Sequence, residues 1–271
     1  MFNEKAIISR WVADIYDQNE TGTEDVEFLL SVIGPEPKRI LEVACGSGRI
    51  LVPLAKAGHT VTGIDADECM LAKIPAKAKG KGNCDCLANI EWRAADAVHD
   101  DWGAGYDTVV LAGNILYNIV SDMDYAQAQA LFIHKAAAAL KPGGCVYIDY
   151  QPGNCYPARP RKSPPKSRGE RVVWEGTDSA GNFGRMILLD NAYDKKTRLS
   201  AFTRRFELTL PSGETIRQDI PCVKHFASLG QLHGWLAEAG LAVEREYGDY
   251  RRSPIGRKTC RAIILARKGA R

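Results

Sequence analysis

Three carboxylates and a glycine-containing turn follow apolar runs of the chain at intervals that suit one ligand site. Glu42 lies in the apolar run 40–44, and the turn over residues 45–49 follows it directly. Glycines in such a turn let the backbone approach a ligand at the carboxyl end of a strand. Asp65 ends the next apolar run, 23 residues after Glu42, where an acid can accept hydrogen bonds from both hydroxyls of a ribose. Asp96 follows a third such run and could accept a hydrogen bond from an exocyclic amine such as that of adenine.

Each feature also has an alternative interpretation. The dinucleotide fingerprint G-x-G-x-x-G would need glycine at positions 44, 46 and 49, but the sequence has Ala44 and Arg49. The third glycine packs helix against strand, so its absence weakens a dehydrogenase interpretation. Asp65 can instead be a helix N-cap, and Asp96 can instead cap a loop.

The elements that must position these residues alternate between strand and helix. Two helices are expected first, over 6–16 and from about Thr21, where Glu24 would complete a capping box. Strands are then predicted over 39–44, 60–64, 90–93, 106–112 and 145–150, and helices over 50–57, 68–76 and 125–140, with a linker over 77–81. Strands that alternate with helices predict a parallel sheet with right-handed crossovers.

The pattern changes after Gln151. Residues 152–171 contain five prolines and many basic residues and are predicted to form a mobile loop. Strand-like runs without intervening helices follow, over 171–174, 185–192, 198–210 and 214–226, and a helix over 229–239 and strands over 241–247 and 260–266 close the chain. We therefore expect three parts: 1–151 as the core with N-terminal helices, 152–226 as an antiparallel β insertion, and 227–271 as the end of the core.

At these positions the sequence resembles class I S-adenosylmethionine-dependent methyltransferases. The successive motifs are 42–65, Asp96, 106–114 and Leu140-Lys141-Pro142-Gly143-Gly144, and the resemblance covers about residues 16 to 150. It implies an α/β fold with a Rossmann-like sheet flanked by helices, here with an antiparallel β lid inserted after the fifth strand. One departure is Ala44, where many members have glycine.

The resemblance also implies roles by position. Gly46 and Gly48 would line the methionine moiety of S-adenosylmethionine, Asp65 would bind the ribose hydroxyls, and Asp96 would take the adenine amine. The full set of expected cofactor-binding residues is Tyr16, Glu42, Ala44, Gly46, Gly48, Asp65, Ala66, Met70, Asp96, Ala97, Leu111 and Asn114.

A narrower similarity links residues 111–116 and 147–151 to the glycine/sarcosine N-methyltransferase branch. That branch has an antiparallel lid after its fifth strand and a Tyr-Asp pair near the N-terminus, like Tyr16-Asp17 here. It suggests a small acceptor methylated at nitrogen, with oxygen, sulfur or a metalloid still open. The residues expected to shape the acceptor pocket or act in catalysis are Tyr16, Asn114, Tyr117, Tyr150 and His225. Structural roles remain open for Tyr16, Tyr117 and His225, and none is a secure general base.

Composition excludes several other classes of protein. The chain has 271 residues, a formal net charge of +3 and 25% charged residues, which excludes a disordered chain and disfavours a nucleic-acid partner. Two alternatives remain: an RNA or protein methyltransferase that uses the basic loop, and a protein that binds the cofactor without turnover.

Met1–Lys5 lacks a long apolar region, the chain has no membrane-length apolar run, and eight cysteines are few for a disulfide scaffold, so a reducing cytoplasmic location is expected. Cys84-x-Cys86 lacks the spacing of a zinc site, so no metal is expected.

Overall fold

The structure is a computed structural model that describes residues 3–79, 86–153, 170–256 and 259–270. The described helices are α1 (Glu4–Asn19), α2 (Glu24–Ile33), α3 (Leu51–Lys56), α4 (Glu68–Leu71), α5 (Ile74–Lys79), α6 (Ile115–Asn118), α7 (Tyr125–Ala139) and α8 (Leu229–Glu238). The described strands are β1 (Arg39–Val43), β2 (Thr60–Asp65), β3 (Ile90–Ala94), β4 (Tyr106–Leu111), β5 (Leu140–Tyr150), β6 (Arg171–Thr177), β7 (Phe183–Asp194), β8 (Leu199–Thr209), β9 (Thr215–His225), β10 (Leu241–Tyr247) and β11 (Ala262–Lys268). The chain divides into two compact units, Met1–Gly22 with Tyr156–His225 and Thr23–Cys155 with Phe226–Arg271.

The larger unit is built on a seven-stranded sheet. Its strand order is β10-β11-β5-β4-β1-β2-β3. The five strands from β5 to β3 are parallel, whereas β11 is antiparallel to both β5 and β10. The order reverses between β1 and β4, so ligands are expected at the carboxyl ends of these two strands. The predicted parallel sheet is confirmed.

Apolar side chains cover both faces of this sheet, as a mostly parallel sheet requires. One core cluster contains residues of β4, β5, α7 and α8, with Trp102 packed edge-on against Phe132 at 5.2 Å between ring centroids. The second cluster contains residues of α2, α3 and α5 together with β1 and β2. Residues of β1 and β2 belong to both clusters, so both faces of these two strands are packed.

The smaller unit is a four-stranded antiparallel sheet, β6-β7-β8-β9, against which α1 packs. Trp11 of α1 is fully buried, and its indole N–H donates to the carbonyl oxygen of Gly176 at 3.1 Å. A Cβ atom on Gly184 would lie 2.6 Å from Trp11 Cε2, so the glycine is what admits the indole. Gly176 and Gly184 are paired across β6 and β7, and the absence of side chains at both positions allows α1 to pack closely on the sheet.

The element boundaries correct several predictions. The helix expected over 68–76 is two helices, α4 and α5, because Pro75 lacks an N–H and belongs in a first helical turn. The expected linker at Lys77–Lys79 is helical in α5, and residues 80–81 lie outside the described part. The capping box at Thr21 and Glu24 is wrong: α2 begins after Thr23, which has no side-chain capping bond.

The division of the chain also differs from the sequence-based one. Residues 1–151 were expected to form one part, but α1 groups with the antiparallel sheet. The reason is its apolar face, on which Trp11 and Ile15 are fully buried in the same cluster as Phe206. Most of the basic loop predicted over 152–171 lies outside the described residues.

Candidate functional site

The turn after β1 has a conformation that side chains tolerate poorly. Ala44, Gly46 and Gly48 all have positive φ, at 59°, 53° and 80°. A Cβ atom on Gly48 would lie 3.1 Å from Ile74 Cγ1, so the turn packs closely on α5. Left-handed backbone costs alanine about 1 kcal/mol, which gives a physical reason why glycine is common at position 44.

Asp65 connects this turn to the end of β2. The Gly46 N–H donates to its Oδ2 at 2.7 Å, and the Asp67 N–H donates to its Oδ1 at 2.8 Å. Burial raises the pKa of Asp65, and the two backbone donors act against that rise. A carboxylate has about four acceptor positions, so positions remain for the two hydroxyls of a ribose.

Glu42 is the acid that lies deepest in this region. Its side chain is 4% exposed, and Oε2 makes no hydrogen bond to any residue that the structure describes. Burial raises the pKa of Glu42 well above its ordinary value, and Arg49 partly opposes this. Arg49 itself pairs with Asp25 through two hydrogen bonds of 2.9 and 2.5 Å. An unsatisfied buried carboxylate oxygen next to the turn fits the ammonium group of an amino-acid moiety.

Three predicted adenine-side residues lie beside this turn or after β3. Met70 Cε lies 3.9 Å from the position of a Cβ atom on Gly46. Asp96 is exposed, and its Oδ1 accepts from the Val98 N–H at 2.8 Å while Oδ2 lies 4.0 Å from His99 Nε2. One oxygen of Asp96 therefore caps its own loop, which was the alternative interpretation. Ala97 is half-buried and follows directly.

The remaining cofactor candidates on the larger unit flank the same strand ends. Ala66 is exposed directly after β2, and Leu111 is fully buried as the last residue of β4. Asn114 has φ 61°, and its Oδ1 accepts from the Gln151 N–H at 3.0 Å. Asn114 therefore connects the segment after β4 to the residue that follows β5.

Two tyrosines that were expected to shape the acceptor pocket pack wholly or partly in the core. Tyr150 is fully buried, and its hydroxyl donates to the Ala227 carbonyl oxygen at 3.3 Å, so it belongs to the core. Tyr117 is half-buried, with its ring centroid 4.8 Å from that of Phe226 and 6.1 Å from that of Tyr150. Tyr117 can thus serve the core and still present one edge to solvent.

Tyr16 and His225 lie in the smaller unit. The ring of Tyr16 packs edge-on against Trp174 at 5.7 Å, and the buried His225 ends β9 opposite Leu199. Their roles in binding or catalysis stay predictions. The residues that the structure brings together are those of the larger unit around Glu42, Gly46 and Asp65.

Sequence reasoning missed the cations of this region. Arg49 counted only against the dinucleotide fingerprint, although it is the partner of Asp25 and lowers the pKa of Glu42. Lys77 donates from Nζ to Ser47 Oγ at 2.6 Å and so reaches into the turn from α5. A basic residue directly after the glycine turn is the sequence signal that could have indicated the first of these contacts.

The described residues contain no group of three or more His, Cys, Asp or Glu side chains suited to a metal ion. Cys84 of the Cys84-x-Cys86 pair lies outside the described residues, and Cys86 is buried. Cys260 is disulfide-bonded, whereas Cys45 and Cys222 are free thiols. The predicted reducing, cytoplasmic location therefore stays a prediction.

Known proteins share this fold and part of this sequence. Over 96% of both chains, the structure superposes on the CcbJ methyltransferase of Streptomyces caelestis with a TM-score of 0.68 at 19% identity. A ubiquinone biosynthesis O-methyltransferase of Chelativorans sp. (strain BNC1) is 33% identical over 115 residues, which are 42% of this chain and 40% of that protein. A glycine/sarcosine N-methyltransferase of Halorhodospira halochloris is 25% identical over 143 residues, 52% of this chain and 50% of that protein. The chain thus matches half or less of the length of these curated relatives.

The turn after β1 and the acid after β2 lie where the resemblance to class I S-adenosylmethionine-dependent methyltransferases implies them. Within the chain, residues 40–144 match the family model described as "Methyltransferase domain". The resemblance seen in the sequence is thereby confirmed over these residues of the larger unit, and S-adenosylmethionine is the cofactor that it implies.

Proposed function

We propose that the protein transfers the methyl group of S-adenosylmethionine to an amine nitrogen of a small molecule. The observation that carries the cofactor half of this proposal is the pair of acids at the ends of β1 and β2. Asp65 is already oriented by two backbone N–H groups, and Glu42 has a buried oxygen without a hydrogen-bond partner among the described residues. Asp65 would hold the ribose hydroxyls, and Glu42 would hold the ammonium group of the methionine moiety.

The main contribution of the protein's residues is to position the cofactor and the acceptor relative to each other. When bound, S-adenosylmethionine supplies an electrophilic methyl group whose leaving thioether is neutral, so no general acid is required. With Asp65 and Glu42 fixing two ends of the ligand, the acceptor nitrogen must lie in line with the methyl group and the sulfur. Asn114 and Tyr117 are the candidates on the larger unit for shaping that approach. An amine must also be neutral to react, which a dry pocket favours.

The choice of nitrogen rests on two observations. Residues 111–116 and 147–151 are similar to the glycine/sarcosine N-methyltransferase branch. This chain also matches one curated relative of that name over 50% of that relative's length. Oxygen is the second candidate, because an O-methyltransferase is more identical over a shorter segment. No helix in the described part of the chain is long and apolar enough to cross a membrane.

Titration calorimetry with S-adenosylhomocysteine, the product, tests the cofactor site. We expect micromolar binding by the wild type, no binding of NADH, and at least about tenfold weaker binding by Asp65→Ala, because hydrogen bonds to a charged acceptor are lost. Asp122→Asn is the matched control, since Asp122 is an exposed acid on the same unit. Equal affinities for the wild type and Asp65→Ala would contradict the assigned role of Asp65.

Methyl transfer from labelled cofactor tests the acceptor. A panel of small primary and secondary amines is compared with phenols and catechols at equal concentration. Transfer to amines alone supports the proposal, and transfer to phenols alone would replace nitrogen by oxygen. Binding of the cofactor without transfer to any member would favour a protein that binds without turnover.

A further inference from the structure

One face of strands β8 and β9 carries two cations and no acid from either strand. Successive residues of a strand point to opposite faces, so Arg204 of β8 shares a face with Lys224 of β9, where Ser200 is paired with Lys224. The acids of these two strands, Glu207 and Asp219, occupy odd-numbered positions and belong to the other face. The acids of β8 and β9 therefore all lie on the face opposite to Arg204 and Lys224.

Arginines of the opposite face have acidic partners. Arg205 makes two hydrogen bonds of 2.7 Å to Asp219, and Arg185 makes one of 3.0 Å to Glu207. Arg204 differs, because its Nε is buried and makes no hydrogen bond to any residue that the structure describes. A buried donor without an acceptor is destabilising, and more so when it is charged, so the Nε of Arg204 lacks an acceptor that its position requires.

Lys224 adds a second cation to the same face. Its Nζ lies 5.8 Å from the ring centroid of Phe202, which stands between Ser200 and Arg204 at alternate positions of β8. Burial and the nearby charge of Arg204 lower the pKa of Lys224 to about 8. Two cations that destabilise each other in this way are both stabilised when an anion binds between them.

We infer that Phe202, Arg204 and Lys224 form a binding site for the anionic group, a carboxylate or a phosphate, of a small molecule. The guanidinium of Arg204 offers the planar fork of donors that pairs with either group through two hydrogen bonds. The ammonium of Lys224 supplies the second charge, and Phe202 supplies an apolar floor. The site lies within one unit, and it goes beyond the proposed methyl transfer.

The direct test is an NMR titration of the full-length protein labelled with ¹⁵N-arginine. Sodium phosphate and sodium acetate are added at constant ionic strength, with sodium chloride as the reference salt. The Nε–H signal of Arg204, assigned by its loss in Arg204→Gln, is expected to shift and saturate in the millimolar range with one or both anions. Lys224→Met should weaken this binding about tenfold.

Arg217→Gln is the matched control, because Arg217 is an exposed arginine of β9 on the opposite face. We expect it to leave the titration unchanged. A non-saturating shift, an equal shift with chloride, or unchanged affinity in Lys224→Met would overturn the inference. Arg204→Lys keeps the charge without the fork and is expected to bind more weakly than the wild type, which separates pairing geometry from charge.

The anion has two sources that a second measurement separates. If it belongs to the methyl acceptor, Arg204→Gln should raise KM for a carboxylated amine and leave KM for the corresponding amide unchanged. If it is an independent small anion, the signal of Arg204 still titrates while neither KM changes. Absence of transfer to every amine would refute the proposed function, and the titration would still decide whether the anion site exists.

Discussion

Glu42 is a side chain whose buried charge lowers the stability of the unliganded protein and is suited to binding a cationic ligand group. It is 4% exposed, with one oxygen that lacks a hydrogen-bond partner among the described residues. Arg49, the cation that opposes the rise in the pKa of Glu42, already pairs with Asp25, so it compensates the buried charge incompletely. Evolution for stability alone would favour a neutral side chain here. A bound ammonium group removes that conflict.

Replacing Glu42 by glutamine is expected to stabilise the unliganded protein in a pH-dependent way. The pKa of Glu42 is raised in the folded state from its ordinary value of 4.5, so its stability contribution is full below that value and is lost as pH rises through the raised pKa. Glu42→Gln should therefore match the wild type at low pH. At neutral pH its free energy of unfolding should be higher, by about 1.4 kcal/mol for each unit of the rise.

Chemical denaturation across pH values measures this difference, with Glu91→Gln as the exposed control on the same sheet. The same variant should bind S-adenosylhomocysteine more weakly, because the partner of the ammonium group has lost its charge. A stability difference that does not change with pH would show that ionisation of Glu42 is not its cause.

The strands of the larger sheet are joined at one end by a buried ion pair. Asp149 of β5 is 3% exposed and accepts hydrogen bonds from Arg261, just before β11, and from the Tyr250 hydroxyl at 2.6 Å. The guanidinium carbon of Arg261 lies 4.6 Å from the centroid of the Tyr250 ring. This triad fixes the segment after β10 against the antiparallel pair of β5 and β11.

Breaking this triad from one side is expected to destabilise the larger unit. Arg261→Met leaves the carboxylate of Asp149 buried and without its cation, at a cost of about 3–5 kcal/mol. Arg267→Met is the matched control, because Arg267 belongs to β11 but pairs with Glu244 at the surface, where such a pair contributes about 0–1 kcal/mol. The free energy of unfolding in guanidinium chloride measures both. Partial recovery in Asp149→Asn/Arg261→Met would attribute the loss to the unpaired charge, and no recovery would attribute it to packing.

Elements whose contacts are local along the chain could be predicted from the sequence. Contacts between residues that are distant along the chain could not. The segment from β1 to Asp65 could be predicted from the sequence, because an apolar run, a glycine turn and an acid follow one another within 27 residues, from Arg39 to Asp65. Arg261 and Asp149 are 112 residues apart, and no spacing rule relates them. Trp11 and Gly176 are 165 residues apart, so the helix expected in the core packs on the antiparallel sheet instead.

The two units have separate apolar cores. In the smaller one, Trp11, Ile15 and Phe206 belong to a cluster that contains no residue of the large sheet among the described residues. In the larger one, Trp102 and Phe132 belong to the cluster between the sheet and α7. Because α1 packs on a sheet whose strands begin only after residue 170, the chain must also close a long loop, which slows its folding relative to local pairing.

Separate cores predict that the two units lose protection independently in hydrogen exchange. Trp11→Ala removes a fully buried indole at a cost of about 3–5 kcal/mol, and we expect faster exchange in α1 and β6 to β9 with β1 and β2 unchanged. Trp102→Ala, an equal deletion from the other core, should accelerate exchange in β4 and α7 and leave β7 and β8 unchanged. Acceleration of both units by either variant would mean that they unfold as one cooperative body.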